Sequence, residues 1–556
     1  MNVADVFLVF RIFNAGGNKK AVLVVWYEYV NFFSSQTMTL SSSSSFPPPS
    51  AVVSEWTKWV EETLFHLKSR GLIRDVKPLS TRDLFLGEED HDKDDNKRRA
   101  NRRIDDYMSK INNDDEPMAS FDPVRARVDE ETYERWLNDT PSETITDFST
   151  KSNKSFKVVT LFSSNDYLGL SANDRVRRAF SNAASEFGMG YRASQLIAGY
   201  TDYHRALEEK LAILERKSSC VLFPTGFAAN MSVLQTLAER VYIKRDSNSR
   251  NRNNDSLADV HSTQNVEIFS DALNHASIVD GCRLAKAHVS IFKHLDYEEL
   301  EGKLKKSSAK RKIVVTDAVF SIDGDVADIK RLGALKKKYP FLLIVDEAHS
   351  TLVYGEFGGG LAEAQDAQND VDVAIGTLSK AVGAHGGFVC CSQEIKSILL
   401  SRGRGQIYST SLPVPIVVAA IEALNVALER PDLANTLWRN VHYFHNHVLR
   451  QKNISCRMTV KKDKNASECV KNAFDIRDSH IVPIFCGDER TALRVAKHLL
   501  LRGFHAPAIR PPTVPENECV IRLAINAKHT IEDLDGLGDA LNEAFSFGES
   551  IVTSRL

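Results

Sequence analysis

Seven short runs of apolar, strand-forming residues alternate with helical patterns between residues 219 and 391. Near-continuous apolar runs are typical of strands that helices cover on both faces of a sheet. Their alternation with helices predicts an α/β domain built on a mostly parallel sheet. The runs are SCVLF (219–223), VEIFSD (266–271), VSIF (289–292), KIVVTDAVF (312–320), FLLIVDEAH (341–349), DVAIGTLSK (372–380) and GGFVCC (386–391).

Changes in composition and in apolar pattern divide the 556 residues into four segments. They are an extension with apolar bursts, a helical segment with a charge-dense run, the α/β domain, and a smaller α+β domain. Their predicted bounds are 1–50, 51–155, 156–430 and 431–556. Three polar stretches are predicted to be surface loops, at 86–116, 244–265 and 460–472.

The extension does not have the pattern of a membrane span. Charged and polar residues interrupt its apolar bursts, so no apolar run reaches the ~18 residues that a span needs. Met38 then opens the low-complexity tract MTLSSSSSFPPPS. Two hypotheses follow: translation begins at Met38, or residues 1–37 are a dispensable extension. A third hypothesis, a lipid-binding or scaffold role, fails if a chain without residues 1–37 stays active in solution.

The printed sequence ends in Ser554-Arg555-Leu556. This tripeptide resembles the S-K-L signal that a receptor reads as a peroxisomal address, and arginine keeps its central positive charge. The sequence therefore predicts a peroxisomal location, with the cytosol as the alternative.

Composition argues against several classes of partner. Lys plus Arg number 71 and Asp plus Glu 73, which gives no electrostatic reason to expect a nucleic acid or an anionic membrane. None of the eight cysteines forms a C-x-x-C pair, so we expect no metal site. The DEAH tetrapeptide at 346–349 is shared with helicases, but the chain has no GKS or GKT for a phosphate-binding loop.

Polar residues at the ends of two strand runs meet the requirements of pyridoxal 5'-phosphate (PLP). PLP needs a lysine for a Schiff base and a carboxylate at its pyridine nitrogen. Asp346 follows a run of apolar residues, and a carboxylate buried there needs a positive partner. Lys380 lies thirty-four residues later in a glycine-rich turn. Ligands of open α/β sheets bind outside the carboxyl ends of the strands, which is where both residues are predicted.

Four further features fit the same cofactor. The turn Pro224-Thr225-Gly226 joins a strand run to a helix start, which presents N–H groups to a phosphate. Thr377 is a candidate phosphate ligand, His275 could stack on the ring, and His349 could reach the ring hydroxyl. Any one of these residues, taken alone, more often has a structural role. Their occurrence together in this order, each after a strand run, favours the PLP hypothesis.

At this point the sequence resembles the α-oxoamine synthase family of fold-type I PLP enzymes, over roughly residues 155–540. The fold expected from this resemblance is a large mostly parallel-sheet domain with a smaller C-terminal α+β domain. The motifs that carry it are SSNDYLGL (163–170), GYTDYHRALEEKLA (199–212), FPTGFAAN (223–230), DALNHASI (271–278), VFSIDGD (319–325), VDEAHS (345–350), TLSKAVGAHGGF (377–388), YSTSLP (408–413) and IRPPTVP (509–515).

The resemblance implies a role for each matching residue. Lys380 would form the Schiff base and act as acid and base, and Asp346 would hold the pyridinium nitrogen. The other residues expected at the cofactor are Gly226, Phe227, Ser321, His349 and Thr377. The residues expected at the substrate are His275, which would stack on the ring, and Asn165, Thr513 and Arg522. The planar guanidinium of Arg522 suits the carboxylate of an amino acid.

The resemblance also implies the reaction. Family members condense an amino acid with an acyl-CoA and release CoA and CO₂. IRPPTVP and the lack of a membrane span favour the member that joins L-alanine to pimeloyl-CoA in biotin biosynthesis. Other members, which use glycine or serine with other acyl chains, and a non-catalytic subunit of the same fold remain alternatives. Arg74 or Lys77 would meet the acyl substrate.

The family also implies a homodimer, in which Ser409 and Thr410 reach the partner's phosphate. One segment departs from the family pattern. Where many members have G-x-G-G-S-R, this chain has GMGYRASQLIAG (188–199), with Ala193 and Gln195 at two typical glycine and arginine positions.

Overall fold

The computed structural model describes residues 122–138, 156–238, 266–452, 454 and 479–553. Several predictions fall outside the described residues. They concern the extension with Met38, the helical segment from residue 51 with Arg74 and Lys77, the three loops at 86–116, 244–265 and 460–472, and the tripeptide Ser554-Arg555-Leu556.

The strands and helices alternate through most of the described chain. The strands are β1 (Arg125–Asp129), β2 (Phe156–Leu161), β3 (Ser219–Phe223), β4 (Val266–Asp271), β5 (His288–Phe292), β6 (Arg311–Asp317), β7 (Leu342–Asp346), β8 (Val373–Thr377), β9 (Gly387–Cys391), β10 (Ile481–Gly487), β11 (Phe504–His505), β12 (Ala508–Ile509) and β13 (Cys519–Ala524). The helices are α1 (Glu130–Asn138), α2 (Asp174–Phe187), α3 (Asp202–Leu214), α4 (Gly226–Ala238), α5 (Ala276–Leu284), α6 (Tyr297–Lys306), α7 (Ile329–Lys338), α8 (Gly360–Ala364), α9 (Gln393–Arg402), α10 (Arg404–Ile407), α11 (Val414–Glu429), α12 (Asp432–Tyr443), α13 (Glu489–Leu501) and α14 (Ile531–Thr553). Short helical turns cover Leu170–Ala172, Gln195–Gly199 and Phe444–Leu449.

A seven-stranded sheet forms the centre, in the order β3-β9-β8-β7-β6-β4-β5. β9 runs antiparallel to both of its neighbours, and the other pairs are parallel. The predicted fold class is therefore confirmed. Three predicted runs end earlier than expected, at Asp317 in β6, Asp346 in β7 and Thr377 in β8. After β6 the chain turns back, and the Phe320 N–H donates to Asp325 O at 2.9 Å.

The packing explains why these strands are apolar along their whole length. In β7, Leu343 and Val345 lie in a hydrophobic cluster with residues of α3, α7 and α11. Ile344 points into a second cluster with residues of α4, α5 and α9. Both faces of the sheet are covered by helices, so alternation with polar residues would leave polar groups buried. Each such side chain contributes roughly 1.5–3 kcal/mol on full burial.

Helix ends are marked by charges as local rules require. The Asp296 side chain accepts a hydrogen bond from the Glu299 N–H at 2.9 Å and so caps α6. Lysines occupy the last turns of α6 and α7, where they complement the negative end of the helix dipole.

Two three-stranded sheets complete the described structure, in the orders β1-β2-β11 and β10-β13-β12. β2 pairs in parallel with β11, so segments far apart in the chain share one sheet. The predicted domain bounds remain a prediction. Among the described residues, no helix is both long and apolar enough to cross a membrane. The same residues contain no group of three or more His, Cys, Asp or Glu side chains suited to a metal ion.

Candidate active site

The carboxyl ends of three neighbouring strands bring the polar residues of the site together. Asp317 ends β6, Asp346 ends β7, and these two residues are partners in the strand register. Thr377 ends β8, which pairs with β7. Parallel strands end at the same edge of a sheet, so residues far apart in sequence meet there.

Lys380 lies three residues after β8, in the turn that the glycines allow. Its Nζ is 2.8 Å from Nε2 of His349. Burial lowers the pKa of Lys380 to about 8, against the opposing effect of the Asp346 and Asp317 carboxylates. Slightly above neutral pH a large fraction of the amine is therefore uncharged and nucleophilic, as Schiff-base formation requires.

Asp346 is buried, and both of its oxygens accept hydrogen bonds. Oδ1 accepts from the Ala348 N–H at 2.9 Å, and Oδ2 from the Asn230 amide at 2.6 Å. Asn230 also donates to Ser277 Oγ at 3.0 Å, which fixes its amide. A buried carboxylate is costly without a cation, so a protonated ring nitrogen is a suitable partner for Asp346.

Asp317 is a second buried carboxyl group that the sequence analysis missed. Its Oδ2 accepts from the His275 backbone N–H at 2.8 Å and so places that histidine. Burial and the neighbouring Asp346 raise the pKa of Asp317 well above its usual range. The signal was present, because Asp317 ends the run IVVTD just as Asp346 ends LLIVD.

A turn closed by glycines and threonines lies beside Lys380. A Cβ on Gly387 would lie 2.4 Å from the backbone of Thr225, so only glycine lets β9 approach the 224–226 turn. A Cβ on Gly226 would be 3.2 Å from Cβ of Thr377, which places both predicted phosphate ligands side by side. α4 begins at Gly226, and Thr225 caps it, because its Oγ1 accepts from the Ala228 N–H at 3.1 Å. The N–H groups that precede Ala228 at this helix start are where an anion can bind.

His275 and Phe227 are exposed rings at the mouth of this turn. Phe227 is 42% exposed, and its ring lies 6.3 Å from the His275 ring at an angle of 80°. Nδ1 of His275 is 2.7 Å from Ser277 Oγ, which sets the direction of the imidazole. An exposed, oriented imidazole can stack on a flat cofactor.

Arg522 approaches from β13 and is buried. Its Nε donates to the Ser321 carbonyl, and its Nη2 donates to Asn165 Oδ1 at 3.2 Å. The structure thus brings the predicted residues Ser321 and Asn165 to this arginine. Thr513 is exposed in the loop after β12, where its N–H donates to Arg510 O at 3.0 Å.

Gln195 is held by the chain itself. Its amide donates to the Leu222 carbonyl at 3.0 Å and its Oε1 accepts from the Gln406 amide at 3.1 Å. The 188–199 segment also contacts a residue that is predicted to reach the partner's phosphate, because Ser194 forms a β-bridge with Thr410. These contacts give Gln195 a structural partner where many family members have arginine.

His294 fixes the hairpin that carries Ser321. Its ring contacts Asp271 at 2.9 Å and Asp325 at 3.2 Å. Burial alone would lower the pKa of His294, but hydrogen bonds to both carboxylates outweigh it and raise the pKa to about 9. The imidazolium therefore joins the end of β4 to the 320–325 turn.

The stability that His294 contributes is expected to depend on pH. Because its folded-state pKa lies above the unfolded value of about 6.5, the contribution is full below that pH and is lost as pH rises towards 9. We expect His294→Gln to cost up to about 3 kcal/mol of unfolding free energy at pH 6 and much less at pH 9.5. Urea unfolding at both pH values measures this, and an equal cost at both would contradict it.

Together, these features of the site fit PLP. The site combines a lysine of lowered pKa, a buried carboxylate, a helix start closed by glycine, and an exposed imidazole. Asn230 Oδ1 is buried without a partner among the described residues, which indicates a site built for further contacts. The individual roles of the site residues remain predictions.

Comparison with known proteins shows the family to which the chain belongs. Residues 157–541 match the family model of aminotransferase class I and II. The chain is 39% identical over 508 residues to 8-amino-7-oxononanoate synthase of Arabidopsis thaliana, covering 88% of this chain and 96% of that protein.

Solved structures share the fold. Serine palmitoyltransferase of Sphingomonas wittichii superposes with a TM-score of 0.64 at 23% identity, over 90% of this chain and 99% of that one. A serine palmitoyltransferase variant from S. paucimobilis with bound PLP gives 0.62 at 26% identity, over 75% and 96% of the two chains. The family model and the Arabidopsis relative each match most of the chain. The chain therefore belongs to the aminotransferase class I and II family of PLP-dependent enzymes.

Proposed function

We propose that this protein is a PLP-dependent acyltransferase that condenses L-alanine with pimeloyl-CoA to 8-amino-7-oxononanoate, CoA and CO₂. The Arabidopsis relative bears the name of this activity and matches almost its whole length. The observation that carries the proposal is that the Lys380–His349 pair and the Asn165–Arg522 pair belong to one site, since both pairs contact the Tyr167 hydroxyl. A reactive lysine and a carboxylate-binding arginine are what amino-acid chemistry requires.

Bound PLP supplies the electron sink that stabilises negative charge on the amino-acid α-carbon. Asp346 would keep the pyridine nitrogen charged, and the first turn of α4 with Thr377 would hold the phosphate. Arg522 grips the substrate carboxylate through two parallel hydrogen bonds. Lys380, with its pKa near 8, takes the proton from the α-carbon and later returns one. His275 covers one face of the site.

Arg522→Gln is expected to raise KM for the amino acid by about 10- to 100-fold, because it removes a charge-assisted, bidentate contact. KM for the acyl-CoA should change far less. Steady-state assays with either substrate varied measure both values. Arg331→Gln, which alters an exposed pair with Glu298 on the surface, is the matched control. Equal changes in the two KM values would contradict the assigned role.

The choice of substrates is tested by measuring CoA release across amino acids and acyl-CoAs. L-alanine with pimeloyl-CoA should give the highest kcat/KM. Preference for glycine or serine with another acyl chain would assign the protein to a different α-oxoamine synthase activity. No CoA release with any pair, from protein that carries PLP, would overturn the proposed function and favour a non-catalytic subunit.

We also propose a homodimer. Large apolar side chains are exposed in two segments that the Ser194–Thr410 bridge joins, among them Tyr191 at 72%, Ile197 at 81% and Tyr408 at 72%. Exposed apolar patches of this kind favour association. Ser409 and Thr410 follow Tyr408 directly and are the predicted contacts to the partner's phosphate. Sedimentation velocity tests this, and a fully active monomer would refute it.

A peroxisomal location is proposed from Ser554-Arg555-Leu556 alone. The test is the distribution of the full chain fused at its N-terminus to a fluorescent protein, in cells that carry a peroxisomal marker. Deletion of the tripeptide should release the protein to the cytosol. A fusion that stays cytosolic with the tripeptide intact would remove the proposal.

A further inference from the structure

Tyr167 is a buried tyrosine of the SSNDYLGL motif to which the proposed reaction assigns no role. Its hydroxyl lies 2.6 Å from Nδ1 of His349 and 3.1 Å from Oδ1 of Asn165. The phenol therefore sits between a group that contacts Lys380 and a group that contacts Arg522.

The contacts form one continuous path of hydrogen bonds. Nζ of Lys380 is 2.8 Å from Nε2 of His349, and Nδ1 of the same ring meets the Tyr167 hydroxyl. Asn165 accepts at the far end from Arg522 Nη2 at 3.2 Å. Three side chains thus link the lysine amine to the arginine that binds the substrate carboxylate.

The hydroxyl lets His349 adopt either neutral tautomer. Burial lowers the pKa of His349 well below its usual value, so the ring carries one proton. With that proton on Nδ1, the ring donates to the Tyr167 oxygen and Nε2 accepts from a charged lysine. With the proton on Nε2, Tyr167 donates to Nδ1 and the ring donates to an uncharged lysine. A hydroxyl serves both arrangements because it donates and accepts.

The other ionisable groups around Lys380 and His349 do not take the place of the Tyr167 hydroxyl in this exchange of tautomers. Asp346 and Asp317 face the lysine as carboxyl groups, and the charge of Arg522 acts on both residues. His275 also faces both residues, but burial lowers the pKa of its ring, which favours the uncharged form. His480 packs edge-on against the Tyr167 ring at 4.1 Å. Its two nitrogens have no hydrogen-bond partner in the described part of the chain, so it contributes shape and no proton path there.

We propose that Tyr167 is a positioning residue that matches the tautomer of His349 to the protonation state of Lys380, so that the amine can release a proton and take one back. Its value for turnover rests on the proposed function, whereas its effect on the lysine does not. The two can therefore be tested separately.

The first test uses the full-length chain freed of PLP. Competitive acetylation of Lys380 with acetic anhydride, read by peptide mass spectrometry across pH, gives the midpoint of amine deprotonation. In Tyr167→Phe the Nδ1–H tautomer loses its acceptor, and a buried unpaired N–H is costly. The ring then favours Nε2–H, which opposes a charged lysine. We expect the midpoint to fall by about one pH unit.

Two further proteins make the result decisive. Replacement of Tyr167 by 3-fluorotyrosine keeps the ring and the hydroxyl but makes the group a stronger donor and a weaker acceptor, so a smaller fall is expected. Tyr297→Phe is the matched control, since Tyr297 is buried and its hydroxyl accepts from the Asp328 N–H at 2.8 Å. An unchanged midpoint in both Tyr167 proteins, or an equal fall in Tyr297→Phe, would overturn the proposal.

The second test follows turnover. We expect kcat of Tyr167→Phe to fall about tenfold while KM for the amino acid changes little, because proton transfer is affected and carboxylate binding is not. An unchanged kcat with a raised KM would overturn the role in turnover. If wild-type protein releases no CoA with any substrate pair, the proposed function fails, and the acetylation midpoints still decide the role of Tyr167.

Discussion

Lys380→Ala is expected to abolish the visible absorption of bound PLP and to reduce CoA release by at least about 10³-fold. Nζ of Lys380 lies at the edge of the sheet where β6, β7 and β8 end, 2.8 Å from a neutral histidine. Alanine removes the amine that attaches the cofactor and the group that moves the α-proton. Added free amines should restore little of the rate, since they lack the orientation that burial gives Lys380.

The control for this variant is Lys303→Ala. Lys303 pairs with Glu299 on the same helix at 3.4 Å, in a half-exposed contact of little energetic weight. Both variants should retain the circular dichroism of the wild type. Visible absorption that survives in Lys380→Ala would remove the assignment of the cofactor-binding lysine.

The second large effect is expected for Asp346→Asn. The amide keeps the shape of the side chain but removes the charge that holds the pyridine nitrogen protonated. We expect CoA release to fall by about 10²- to 10³-fold, in the range seen when one charge-stabilising group is lost from an active site. The free energy of unfolding should change little, because removal of a costly buried charge offsets the weakening of its hydrogen bond from Asn230. Assays at saturating PLP, with thermal unfolding of the same samples, measure both.

Asp317→Asn is the matched comparison, since Asp317 lies beside Asp346 in the register and is equally buried. Burial and the neighbouring Asp346 raise its pKa and so favour its neutral form, which the amide resembles. We expect a loss of less than about tenfold. Equal losses in the two variants would contradict the view that the charge resides on Asp346.

The local sequence pattern was enough to predict where a residue lies when that position follows from the residue's own strand. The apolar runs before Asp346 and Lys380 predicted strands, and the carboxyl end of a parallel strand is where a ligand site lies. The continuous apolar run predicted a sheet covered on both faces, as Leu343, Ile344 and Val345 confirm. Roles for Ser321, Thr513 and Arg522 came from resemblance to a family, because no local pattern distinguishes them.

Other features are contacts between residues remote in the chain, and these depend on how the layers pack. Tyr167 and His349 are 182 positions apart, Asn230 and Asp346 116, and Arg522 and Asn165 357. Side-chain hydrogen bonds need distances correct to a few tenths of an ångström, which periodicity and propensity do not encode. The amino-acid sequence by itself thus determined the central sheet and predicted the lysine that attaches the cofactor. Only the tertiary structure decided which groups meet that lysine, because packing of α4, β13 and the 163–170 segment around the sheet edge sets those distances.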